Sequence, residues 1–224
     1  LHVRSRRQRQ MCIRDRLNSG SLKLKIEELV KVIQESRELF GENELAYLSL
    51  TSKNESVIRD RIAYKLHLEL KNSIVAREHS IKAINSRIDL AVLENNDIKD
   101  IIELKSMYTF DAVDGLDKFI DSINRDFDKN SSLKSDTTSQ FAIVIGTHPR
   151  SIPSEQYKDF VKYYNSIKRC MKKINNNTVL IDKMDNKLRN AFKQDKYEVK
   201  SLTIYAGNAF EVDVDICFWI IEKK

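Results

Sequence analysis

Residues 87–107 restrict the possible folds of this chain more than any other stretch. Arg87-Ile88-Asp89-Leu90-Ala91-Val92-Leu93 alternates in the manner of a half-buried strand. Glu94-Asn95-Asn96-Asp97 is turn chemistry, because Asn and Asp bond their own backbone and tolerate left-handed conformations. Residues 100–107 read as the returning strand. An antiparallel pair closed by a five-residue loop at 94–98 sets Leu93 opposite Lys99, Ala91 opposite Ile101, Asp89 opposite Glu103 and Arg87 opposite Lys105. Alternation then presents Asp89, Glu103 and Lys105 on one face, with directly opposed Cβ atoms about 5 Å apart. Two carboxylates held that close repel, so either a cation lies between them or one takes up a proton. Magnesium suits the first case, since it takes a few carboxylate oxygens and keeps water in its other octahedral positions. Lys105 then stands within reach of that water or of a bound phosphate.

The surrounding pattern alternates helix and strand. Leu22, Ile26, Leu29, Ile33, Ser36 and Phe40 form an amphipathic stripe ending at Gly41, a helix that packs on the domain or forms the seam of a homodimer. Residues 43–50 are ambiguous. Ser52-Lys53-Asn54-Glu55 fits a capping box and opens a helix carrying Val57, Ile58, Ile62, Leu66 and Leu70. Residues 74–81 read as a strand, 114–128 as a helix and 141–146 as a buried central strand. Residues 154–174 read as a basic amphipathic helix broken by Asn175-Asn176-Asn177. A helix near 183–193 leads to two strands with a hairpin signal at Gly207-Asn208. The Tyr163-Tyr164 pair either stacks on bases or places one ring in the core.

Asp89, Glu103-Leu104-Lys105 and the order helix, three strands, helix, strand together resemble the PD-(D/E)XK nucleases. The resemblance covers roughly residues 52–147. Ile88 stands where that family nominally has proline. Glu-X-Lys also occurs at Glu69 and Glu198, but the first falls at a helix end and the second has no Asp-bearing strand paired before it. The resemblance implies an α/β fold: a restriction-endonuclease-like αβββαβ core with a mixed sheet flanked by helices. To this core would be added an N-terminal helix and a C-terminal helix and β-hairpin extension. It further implies a metal-dependent nuclease acting on nucleic acid, DNA first. Asp89 and Glu103 would hold Mg²⁺ or Mn²⁺ with the main-chain carbonyl of Leu104, Glu55 would complete the shell, and Lys105 would serve the chemistry. Lys158, Lys162, Lys168 and Arg169 are the candidates for phosphate contacts, which position a nucleic acid without reading it. The alternative is a nuclease-fold protein without catalysis, a binding or assembly module of a larger complex.

Composition bears on partners only after the first sixteen residues are set aside. Residues 6–15, Arg-Arg-Gln-Arg-Gln-Met-Cys-Ile-Arg-Asp, resemble one reading frame of a transposon-end sequencing adapter, and such a segment is excluded from fold reasoning. The whole chain carries 39 basic and 33 acidic side chains. Without the six arginines and Asp15 of residues 1–16, 33 basic face 32 acidic, and net charge no longer argues for nucleic acid. No methionine lies between Leu17 and Met107, so the native start is expected upstream. The expected organisation is a helical segment at 17–50, the nuclease-like core at 51–150, and C-terminal helices with a hairpin at 151–224. No apolar run reaches the roughly 18 residues of a membrane span. Cys170 and Cys217 lack disulfide or metal spacing, which makes a reducing, cytoplasmic compartment the expectation.

Overall fold

Two faces of one mixed six-stranded sheet carry the helices of this chain. The structure, a computed structural model, describes residues 23–82, 86–133, 138–173, 178–193 and 195–224. The adapter-like residues 1–16, Leu22 and the Asn175–177 break lie outside them. In chain order come α1 (Ile26–Ser36), a 3₁₀ turn (Arg37–Leu39), α2 (Glu44–Thr51), α3 (Glu55–Glu69), β1 (Ile74–Ile81), β2 (Ser86–Glu94) and β3 (Asp97–Tyr108). There follow a single turn α4 (Asp111–Asp114), α5 (Leu116–Ser131), β4 (Ser139–Pro149), a 3₁₀ turn (Glu155–Tyr157), α6 (Tyr164–Lys173), α7 (Thr178–Ala191), β5 (Tyr197–Ala209) and β6 (Val212–Lys223). The strand order is β1-β2-β3-β4-β6-β5. Only β3 and β4 are parallel, as a crossover through α5 allows; β6 pairs antiparallel with β4, so the C-terminal hairpin extends the sheet itself.

The centre of the sheet is buried from both sides. Every residue of β4 is buried, as expected of a strand with helices on each face. Ile143 and Ile145 of β4 join Phe218 and Ile220 of β6 beneath α1, α2, α3 and α6. Ala142 and Val144 alternate with them and join Cys217, Trp219 and Ile221 beneath α5 and α7. Ile26, Leu29 and Ile33 of the N-terminal stripe are 2 % exposed or less within this core. The described part of the stripe is therefore packed inside the chain, the first of the two uses expected of it.

Several local expectations are corrected. The ambiguous stretch at 43–50 is resolved as α2, Glu44–Thr51, with Asn43 just before it. Ser52 does not open α3: its hydroxyl donates to Leu48 O at 2.9 Å and closes α2, and Asn54 precedes the first residue of α3. The expected continuous helix at 154–174 is two pieces, because Tyr163 adopts φ +60° and Lys162 N–H donates to Leu50 O at 2.7 Å instead of continuing a helix. The C-terminal hairpin turns at Phe210-Glu211, both left-handed (φ +54° and +61°), and not at Gly207-Asn208.

Gly207 serves a different purpose. It sits at a bulge between Tyr205 and Gly207 with φ +116°, where a Cβ would come within 2.7 Å of both Asn43 Oδ1 and Glu42 O. Gly207→Ala is therefore expected to destabilise by about 1–3 kcal/mol, from left-handed strain and overlap with the α2 entry. A urea denaturation midpoint equal to that of the parent protein would refute this.

Candidate active site

The β2–β3 turn sets the register, by a route other than the expected loop. Asn95 and Asn96 both take positive φ (50° and 68°), closing a two-residue hairpin between Glu94 and Asp97. Leu93 consequently faces Ile98 and not Lys99. A bulge beyond Val92, which pairs with Asp100, absorbs Lys99 as the extra residue, so that Ala91 pairs with Ile101 as expected. The shorter turn and the bulge cancel.

Beyond Leu90↔Ile102 the two strands part. β2 continues beside β1 to Ser86, and β3 continues beside β4 to Tyr108, but β2 and β3 no longer pair. The expected Asp89–Glu103 and Arg87–Lys105 cross-strand pairs are accordingly absent from the ladder. Main-chain amides of β3 that β2 would have satisfied must find other partners. Leu104 N–H donates to Asp89 Oδ2 at 2.8 Å, and Ser106 N–H donates to Glu55 Oε2 at 2.7 Å. Because a strand residue sends its N–H and C=O to the same side, the Leu104 carbonyl is turned towards this opening too.

Asp89 sits where the alternation of β2 breaks. Ile88 and Ala91, three apart, belong to the same apolar cluster with Leu93 and Ile101. In β1, Glu78 stands between the pairs Arg77↔Leu90 and His79↔Ile88 with φ +53°. The Asp89 carboxylate lies between the strands, and its Oδ1 is 3.9 Å from the guanidinium of Arg59 on α3, which also binds Glu78. The expectation that Asp89 simply shares a face with Glu103 and Lys105 is thus modified: Asp89 reaches the opening from the α3 side.

Glu103 and Lys105 reach it from the α5 side. Glu103 is 5 % exposed; its Oε1 accepts from Asn130 Nδ2 at 2.8 Å and lies 3.5 Å from Lys129 Nζ. Lys105 Nζ is 2.6 Å from Asp126 Oδ2. Burial drives the Glu103 carboxyl up to about 7, against the Asn130 hydrogen bond and Lys129, while Asp89 and Asp126 push it further up. Burial also raises Glu55, offset in part by the Ser106 amide, with Asp89 adding to the rise. Burial would lower Lys105, but its bond to Asp126 and the charges of Glu103 and Asp89 hold it above the ordinary lysine range. Asp89 therefore acts electrostatically on Glu55, Glu103 and Lys105 together.

Asp126, Lys129 and Asn130 were not anticipated. Their signal was present as polar positions beside the apolar stripe of α5, where Ile123 and Phe127 are buried, but nothing local distinguishes them from a solvated face. Of the expected phosphate-binding residues, Lys158 and Arg169 are exposed. Lys162 lies 5.2 Å from the Tyr163 ring centre, and Lys168 is held by Glu155 at 2.6 Å. They do not form one helical stripe, because Lys158 and Lys162 precede α6.

Asp89, Glu103, Glu55 and the Leu104 carbonyl make an all-oxygen donor set around one opening, which fits magnesium or manganese. Among the described residues, no three His, Cys, Asp or Glu side chains already stand at metal-holding spacing. The carboxylates are instead turned to other partners, Asp89 and Glu55 to main-chain amides and Glu103 to Asn130. Among the described residues, no helix is long and apolar enough to cross a membrane. Compared with known protein families, curated proteins and solved structures, the chain matches none.

Proposed function

We propose that this protein is a Mg²⁺- or Mn²⁺-dependent nuclease of the PD-(D/E)XK type, with a restriction-endonuclease-like core, hydrolysing phosphodiester bonds of nucleic acid, DNA first. The observation that carries the reading is the parting of β2 and β3, with Asp89 and Glu55 bonded to the β3 amides that β2 leaves unpaired and Glu103 and Lys105 on the same stretch of β3. An isolated exposed ladder of alternating charges would keep its strands paired and would not bury Glu103 to 5 %. Asp89, Glu103, the Leu104 carbonyl and Glu55 would hold the ion. Bound there, it would supply an acidified water and neutralise charge on the scissile phosphate. The Glu103 carboxyl, pushed up to about 7 by burial and by Asp89, would be held in its ionised form by a cation between the two.

Lys105 stays cationic and is directed by Asp126, so it can orient the attacking water or stabilise charge on the phosphate oxygens. Asp126 is a positioning residue in this reading. Asp126→Asn should lower cleavage by about 10- to 100-fold, as loss of a supporting partner does. The pH profile should shift at the same time, because Lys105 loses its nearest carboxylate; an unaltered profile would assign Asp126 a structural part only. A cytoplasmic setting belongs to the same proposal, and rests on the lack of disulfide or metal spacing between Cys170 and Cys217. The direct test is incubation of the purified protein with supercoiled and linear DNA and with RNA, in magnesium, in manganese and in EDTA. Metal-dependent nicking or degradation is expected.

A further inference from the structure

Three aromatic rings close the far end of β3, starting two residues beyond the Ser106 amide that binds Glu55. Tyr108 and Phe110 stack at 5.0 Å between centres, and Tyr163 meets Tyr108 edge-on at 5.4 Å. Tyr108 is anchored by donating its hydroxyl hydrogen to Ser49 O at 2.6 Å. Tyr163 is 47 % exposed and sits at φ +60°, a costly conformation for a bulky residue and one that concentrates at functional sites. Its neighbour Tyr164 supplies the core contact at 4 % exposure, so burial does not explain the ring at 163.

Beneath these rings lies a cavity of about 250 Å³. Phe110, Phe119 and Tyr163 line it with rings, and Lys53 and Asp111 add polar groups, while the Asn54 amide at its floor is already bonded to Ser49, Thr147 and Ser106. The cavity also reaches Ser106 and so adjoins the opening between β2 and β3. Lys53 links the two, since its charge also helps to keep Glu55 ionised. The volume falls below the roughly 300–1,000 Å³ of drug-sized sites and suits one planar ring system, not a duplex. Flat aromatic walls bind bases of any identity, because every base has a π-face.

We propose that this cavity receives a single unpaired nucleobase, so that the strand delivered to Glu103 and Lys105 is single-stranded or locally opened; the inference rests on the nuclease reading. The base stacks on Tyr163, its edge meets Asp111, and the phosphates meet Lys53 of the cavity and Lys162 beside the Tyr163 ring. A substrate with one base drawn out of the stack places its adjoining phosphodiester at the carboxylates. Paired DNA must first lose that base pair, which disfavours it.

The test is binding of a single-stranded oligonucleotide carrying 2-aminopurine to the full chain in EDTA, where no cleavage occurs. The parent protein and Tyr163→Phe should both quench the fluorescence, because both keep the ring. Tyr163→Asn should abolish quenching and weaken binding by about 10-fold; Asn tolerates the left-handed backbone at this position, so the fold is retained. A fully paired duplex with the same base should give little quenching. Equal quenching and affinity with Tyr163→Asn, or equal quenching by the duplex, would overturn the proposal. Ring-dependent quenching by a preparation that cleaves nothing supports the pocket while removing the nuclease reading. Metal-dependent cleavage together with ring-independent binding removes the pocket alone.

Discussion

Glu103→Gln is expected to leave the fold and DNA affinity intact while magnesium-dependent cleavage falls by at least about 10²–10³-fold. Glutamine keeps an oxygen for Asn130 Nδ2 but removes the charge that would hold the ion. Asp89→Asn should behave alike, since its amide oxygen can still accept the Leu104 N–H. DNA binding should be unchanged or tighter in both, because each removes a negative charge facing phosphate. Lys105→Met should lose comparable activity yet still bind Mn²⁺ by titration calorimetry, its part being with the reacting phosphate and water. Undiminished metal-dependent cleavage by purified Glu103→Gln protein would sink the assignment of this site. If the parent protein cleaves neither DNA nor RNA, the fold is better read as a non-catalytic binding or assembly module.

A second large effect is expected at Asp100, away from the proposed chemistry. This β3 carboxyl is 2 % exposed and accepts the Leu24 N–H at 3.2 Å. Burial pushes it up to about 7, relieved in part by the Leu24 amide and reinforced by Glu94, Glu28 and Glu222. A folded-state value above the ordinary 3.8 means that the folded chain holds the proton more tightly. Its contribution to stability is fully present below the unfolded value and is lost as pH rises through about 7. Asp100→Asn stays neutral throughout and keeps an acceptor for Leu24. At pH 8 it should be more stable than the parent by about 2–4 kcal/mol, the gap narrowing towards pH 4. Parallel stability curves from urea titrations between pH 4 and 8 would refute this. Glu103 contributes with the same sign, so Glu103→Gln should not be less stable than the parent above pH 7.

Elements of strong period and sufficient length were legible from the amino-acid order. β1 was legible at both ends, and the apolar run at 141–146 marked the strand buried on both faces. The pairing of Ala91 with Ile101 was also legible, although the turn and the bulge that produce it were not. Asp89, Glu103 and Lys105 could be named because strand, turn and strand are adjacent in the chain and their spacing is a local property, whereas Glu55 entered through the resemblance alone. The rest depends on hydrogen bonds between residues distant in the chain. Ser106 N–H to Glu55 spans 51 residues, Asn130 to Glu103 spans 27, and Lys162 N–H to Leu50 joins two helical segments. Each forms because an amide or carboxylate removed from water must find a partner, and which partner is near depends on how the helices pack on the sheet. The parting of β2 from β3, the α5 residues around Glu103 and Lys105, and the left-handed Tyr163 above its cavity all arise at that level. Local propensity and periodicity carry no record of them.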